Sequence, residues 1–273
     1  MLRMETETGW WLITHPDHAR LAGKFAAAWG NAQFRKPEPR ERVLKGIACH
    51  DDGWAMRDAH PTITGQGKPS AFSTELVGKY SAFEEIDIAD YLAVRDRAVR
   101  IIAEEDPYAG LLISMHTYNL LTAHADRSTI TPEGLILLDA FLVRLRKYQD
   151  ELRASISKDD SLTAAERSDD RITEHFRLLQ ACDNLSLLTC VGFAAPATLL
   201  HPLPLNDGTT TEVQVLPIGE RQFQLSPWPF AQPKMTFEFP ARHVAGRLFS
   251  DSRSLEDAYQ SASEDTLTVM LSA

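Results

Sequence analysis

The chain has 273 residues, a net charge of −10 and no apolar run near the roughly 20 residues needed to span a bilayer as a helix. It is long enough for one large domain or one domain with an extension. Its acidic balance argues against a nucleic-acid duplex as main partner and leaves room only for a local basic pocket holding a small phosphorylated ligand. Residues 1–8 are polar and acidic and do not read as a signal peptide. Cys49, Cys182 and Cys190 form no CxxC pair. Reduced thiols and a cytoplasmic location are the expectation.

In chain order, Leu21, Phe25, Ala28 and Trp29 predict a helix over 15–30 that stops at Gly30-Asn31. Pro37-Glu38-Pro39 leads into a second helix over about 40–51, with Val43, Leu44, Ile47 and Ala48 inward. Residues 58–82 read as a long loop of the kind that often carries function. Within it, Gly65-Gln66-Gly67-Lys68 lacks the spacing of a phosphate-cradling loop and reads as an ordinary turn. Helices follow over about 85–105 and 107–125. A third begins at Thr131-Pro132, a capping residue before a proline suited to the first turn, and runs to about 156. A last helix is expected from about Thr163 to Cys190. After Gly192 the prolines disfavour helix, and 212–216, 222–225, 235–239 and 266–271 read as strands. The expected architecture is therefore mainly α: a helical domain over 1–195 and a small antiparallel β extension over 196–273 packed on it.

The chemistry concentrates in histidines and carboxylates on apolar segments. His50-Asp51 lies at the end of the second predicted helix, with His18 upstream, His116 and His124 on a later helix and Asp183 in the apolar run 178–188. These residue types suit zinc, iron or manganese. Each also has an ordinary reading. His18 can be a surface histidine in a first helical turn, and His124 can sit favourably near a helix end. His116 can be a core imidazole paired with Tyr118, Asn119 or a backbone carbonyl. Asp52 competes with Asp51, and His15, before a proline, reads as loop. A carboxylate at Asp183, if buried, requires a cation or several donors.

The order His18, His50-Asp51, Asp183, with His116 and His124 between, resembles the HD-domain superfamily of helical metal-dependent phosphohydrolases. The stretches 18–23, Trp29-Gly30, 50–54 and Asp58…Pro61 are similar to an uncharacterised bacterial family with this plan. The resemblance covers roughly 10–195, and the interval from His124 to Asp183 is longer than in compact members. It implies an HD-like helical bundle with one metal held by His18, His50, Asp51 and Asp183. A second ion would recruit His116 and His124. The ion would be divalent Mn, Fe, Zn or Ni.

The expected activity is hydrolysis of a phosphate ester, a nucleotide or another small phosphorylated molecule, by metal-activated water. Asp51, His116 and His124 would serve catalysis by orienting phosphate or moving a proton. Arg57 and Lys68 are candidate substrate cations. Two other functions fit the same residues: an inactive sensor or scaffold, and an iron-dependent oxygenase on this scaffold. No membrane partner is expected, and a homo-oligomer is compatible with the sequence.

Overall fold

The computed structural model describes residues 1–79 and 86–273. The far end of the loop expected over 58–82 and the first residue of the helix expected from about 85 fall on 80–85, outside the described residues. The helices are α1 (His15–Ala28), α2 (Arg40–Ala48), α3 (Ala55–Asp58), α4 (Ile88–Glu105), α5 (Pro107–Ala123), α6 (Pro132–Ile156), α7 (Asp169–Cys190) and α8 (Ser252–Ser261). The strands are β1 (Leu2–Glu5), β2 (Gly9–Ile13), β3 (Ala197–Thr198), β4 (Leu203–Pro204), β5 (Thr210–Thr211), β6 (Gln214–Gly219), β7 (Gln222–Ser226), β8 (Lys234–Ala245) and β9 (Glu264–Ser272).

The mainly α expectation is overturned. A curled seven-stranded sheet runs in the order β1-β2-β8-β9-β7-β6-β3, and β4-β5 form a second, two-stranded sheet. The fold is α/β. The large sheet is not a C-terminal appendage, because β2 pairs antiparallel with β8, Trp10 opposite Val244. It is mixed rather than antiparallel, since β7 and β9 run parallel. The first two strands escape a reading by periodicity for a physical reason. Their burial does not alternate cleanly: all but one residue of Gly9–Ile13 is buried. A strand covered on both faces loses the period-two signature.

The helices begin where local chemistry satisfies their free N–H groups. The Thr14 hydroxyl accepts from the Asp17 N–H at α1, Asp106 accepts from Tyr108 and Ala109 at α5, and Thr131 accepts from Gly134 at α6. Each such cap contributes about 1 kcal/mol. α5 is apolar nearly all round and runs through the middle of the helical layer, with Leu111, Leu112 and Ile113 each fully buried in succession. One core joins this layer to the sheet through Phe25, Trp29, Leu111, Leu179, Phe237 and Val269, and a second lies among α4, α5 and α6. Among the described residues no helix is long and apolar enough to cross a membrane.

Candidate metal centre

Two glycines let the chain approach itself where the histidines gather. α1 lies so close to α2 at Gly23 that a Cβ there would stand 2.6 Å from the Cβ of Ala48. That contact brings His18, on the buried stripe of α1, to the end of α2. The helix stops at Ala48, three residues before the expected end, and His50 and Asp51 occupy the turn that follows. Gly53 then presses on α4, where a Cβ would meet the Val94 carbonyl oxygen at 2.2 Å. Any side chain at Gly53 would push the turn away from α4 and from Arg95.

The structure brings five of the predicted residues together. His18 Nε2 is 3.0 Å from Asp51 Oδ2, His50 Nε2 is 3.2 Å from Asp183 Oδ1, and His116 Nε2 is 3.8 Å from Asp183 Oδ2. All five residues are buried. The ligating atoms of His18, His50 and Asp51 lie within 4.8 Å of one another, as do those of His50, His116 and Asp183, and either set could hold a metal ion.

The outer nitrogens decide which protons are available. His50 Nδ1 lies 2.7 Å from the Ile47 carbonyl, which can only accept, so Nδ1 carries a hydrogen. His18 Nδ1 lies 2.9 Å from Ser186 Oγ, whose own hydrogen goes to the Asp183 carbonyl at 2.8 Å, so Nδ1 donates here too. Both rings therefore turn Nε2 to a carboxylate. That contact is favourable only with a second proton on the ring or with a cation between the two. An outer hydrogen bond that fixes the tautomer and frees the inner nitrogen is how metal-ligating histidines are held. His116 adds a buried Nδ1 without a hydrogen-bond partner among the described residues. The donor set, three imidazoles and two carboxylates, fits a divalent transition metal.

Electrostatics follow from the same geometry. Burial alone would lower His50, but the Asp51 and Asp183 carboxylates outweigh it and raise the imidazole to about 9. Burial alone would raise Asp183, yet His50, His116 and His18 bring it down to about 2. Burial likewise opposes ionisation of Asp51, but the Arg95 guanidinium and His50 hold it well below the usual carboxylate range. Burial pushes His116 down to about 3. In the metal-free chain the protonated His50 thus supplies positive charge that a metal would supply when bound.

The other predicted residues stand apart. His124 closes α5, eight residues or about 12 Å along the helix from His116, and belongs to neither set. Asp52 pairs with Arg20 at 2.8 Å and leaves the inner position to Asp51. Arg57 and Lys68 line a neighbouring cavity of about 480 Å³, which none of the five clustered residues lines. His15 is the first residue of α1, stacked on Trp54 at 4.4 Å and bonded to Asp58.

Sequence reasoning passed over Arg95. It is buried on α4, its guanidinium donates to Asp51 and to the Tyr91 hydroxyl, and it lies over the rings of Trp54 and Tyr91. Its signal was present: Tyr91, Leu92, Arg95, Ala98, Val99 and Ile102 follow helical spacing, which sets a charge on the apolar stripe. Ser186 was legible in the same way, one turn after Asp183 on α7.

The family described as "Protein of unknown function (DUF3891)" matches residues 1–246, a span that includes every residue of the centre and strands β1 through β8. The chain belongs to the DUF3891 family. No curated protein and no solved structure matches it. For this DUF3891 chain, the chemistry has to be read from the side chains themselves.

Proposed function

We propose that this protein is a metal-dependent hydrolase that cleaves a phosphate ester of a small molecule at the His18, His50, Asp51, Asp183 and His116 cluster. The carrying observation is the pair of imidazoles whose Nδ1 hydrogens are spent on Ser186 and Ile47 while Nε2 faces a carboxylate. The order of these residues along the chain, similar to that of the HD-domain superfamily, supports the same reading. A divalent metal bound there supplies Lewis acidity toward a phosphoryl oxygen and lowers the pKa of a bound water.

His50 has one free nitrogen, and that nitrogen belongs to both candidate sets. The sets therefore describe one ion with up to five ligands more economically than two ions. His116, kept neutral by burial, can ligate at Nε2. Arg95 holds Asp51 ionised and oriented from the far side.

Protein purified without chelator is expected to carry about one Mn, Fe, Zn or Ni ion per chain and to hydrolyse a nucleotide or generic phosphodiester. The double variant His50→Ala, Asp51→Ala is expected to lose both metal and turnover. Full metal retention by that variant would overturn the proposal. Metal without turnover on a wide panel would indicate a sensor or scaffold, and oxygen consumption by iron-loaded protein would indicate an oxygenase.

A further inference from the structure

The cavity of about 480 Å³ beside the cluster has an unbalanced charge. Among the described residues its lining holds five arginine or lysine side chains against two carboxylates, although the whole chain has a net charge of −10. Both carboxylates are already engaged. Glu75 faces Arg3 at 3.1 Å and Lys68 at 3.8 Å. Asp58 accepts from the His15 backbone at 2.6 Å and faces the Met1 amino group at 2.8 Å. Arg57 and Lys79 have no carboxylate partner among the described residues, and Arg57 lies over the Trp54 ring instead.

Two buried donors belong to residues of the same lining. Arg3 Nε and Trp54 Nε1, on residues 7% and 4% exposed, have no acceptor among the described residues. Buried donors without acceptors are uncommon in folded proteins. A group rich in acceptor oxygens and carrying negative charge answers the excess of cations on the described lining. Phosphate is such a group, with arginine forks as its usual partners. The volume suits a small molecule.

The cavity also reaches the cluster. Among the described residues, Arg95 is the one whose side chain both lines the cavity and hydrogen-bonds a side chain of the cluster, that of Asp51. We propose that this cavity is a binding site for the phosphate group of a small molecule, with Arg57 and Lys79, which have no carboxylate partner among the described residues, as its cations and Arg95 as its inner end. That the bound phosphate belongs to a substrate rests on the hydrolase reading. The anion site itself does not.

The test is calorimetric titration of inorganic phosphate and pyrophosphate into the full chain in the presence of a chelator. One anion should bind per chain, more weakly as salt rises. The double variant Arg57→Gln, Lys79→Gln should weaken binding about tenfold with its thermal melt unchanged, because neither side chain is buried. Arg95→Lys keeps a charge beside Asp51 but loses the planar fork, and should also weaken binding about tenfold. Absence of binding by the unaltered protein at about 10 mM phosphate, or equal affinity in the double variant, would overturn the site. Binding that persists while metal-loaded protein turns nothing over would retire the hydrolase reading and keep the anion site. Turnover with KM unmoved by the double variant would do the reverse.

Discussion

His116 and His175 are both buried imidazoles, 2% and 3% exposed, and burial pushes both down to about 3. Their surroundings differ. His175 Nδ1 meets the Tyr108 hydroxyl at 2.7 Å, and among the described residues no carboxylate pairs with its ring. His116 faces Asp183, stacks edge-on with His50 at 5.1 Å, and leaves Nδ1 without a partner. The first is a satisfied core histidine. The second belongs to a group with more ligand atoms than partners. Burial and a shifted pKa are common to both, so neither separates a ligand from core. Carboxylate company and a spare nitrogen do.

Substitutions can break this contrast. The largest effect is expected at Asp183, where Asp183→Asn should lower metal affinity more than 100-fold, read by equilibrium dialysis and metal analysis. Retained metal would leave the carboxylate as no more than a partner for His50. Next is His175→Phe, which should leave metal content unchanged and alter only stability. Unfolded, this imidazole takes a proton near 6.5, whereas folded it resists to about 3. The unfolded state therefore gains protons first as pH falls, and native stability is lost from pH 6.5 downward. Between pH 7 and 5 that loss is about 2 kcal/mol, and its absence in His175→Phe is measurable by urea unfolding at the two pH values.

His116→Gln should weaken metal about tenfold. A metal affinity equal to that of the unaltered protein would move His116 to the same class as His175. The smallest effect is expected for His124→Gln, within about twofold in metal affinity and turnover, because that residue stands some 12 Å along α5 from His116.

Much of the helical layer was legible because α1, α4 and α6 repeat their apolar residues with helical period and α6 carries a readable cap at Thr131. The residues of the centre were legible as types and order, not as geometry. His50 and Asp51 sit in a turn whose shape depends on Gly53 meeting α4, a contact made across more than 40 residues of chain. β1 and β2 were hidden because strands this short acquire meaning only through pairing, β1 with β2 and β2 with the distant β8. α8 was hidden too. It rests its few buried residues, Leu255 and Tyr259, against a small separate core with Trp10, Leu12 and Val244. Arg95 was visible in the pattern, but a charge on an apolar stripe has a meaning only once Asp51 is placed beside it.

The pairing of Trp10 with Val244 also sets an order of events during synthesis. The β1-β2 hairpin leaves the ribosome long before β8 exists, so β2 must wait with an unpaired edge. Contacts this distant along the chain are slow to form, and exposed strand edges invite pairing with other chains. The segments bearing His18, His50, His116 and Asp183 are all made before β8 emerges. A nascent chain cut short before residue 234 would thus have every residue of the buried His/Asp cluster yet lack the strand that joins β2 to the rest of the sheet, and is expected to aggregate rather than mature.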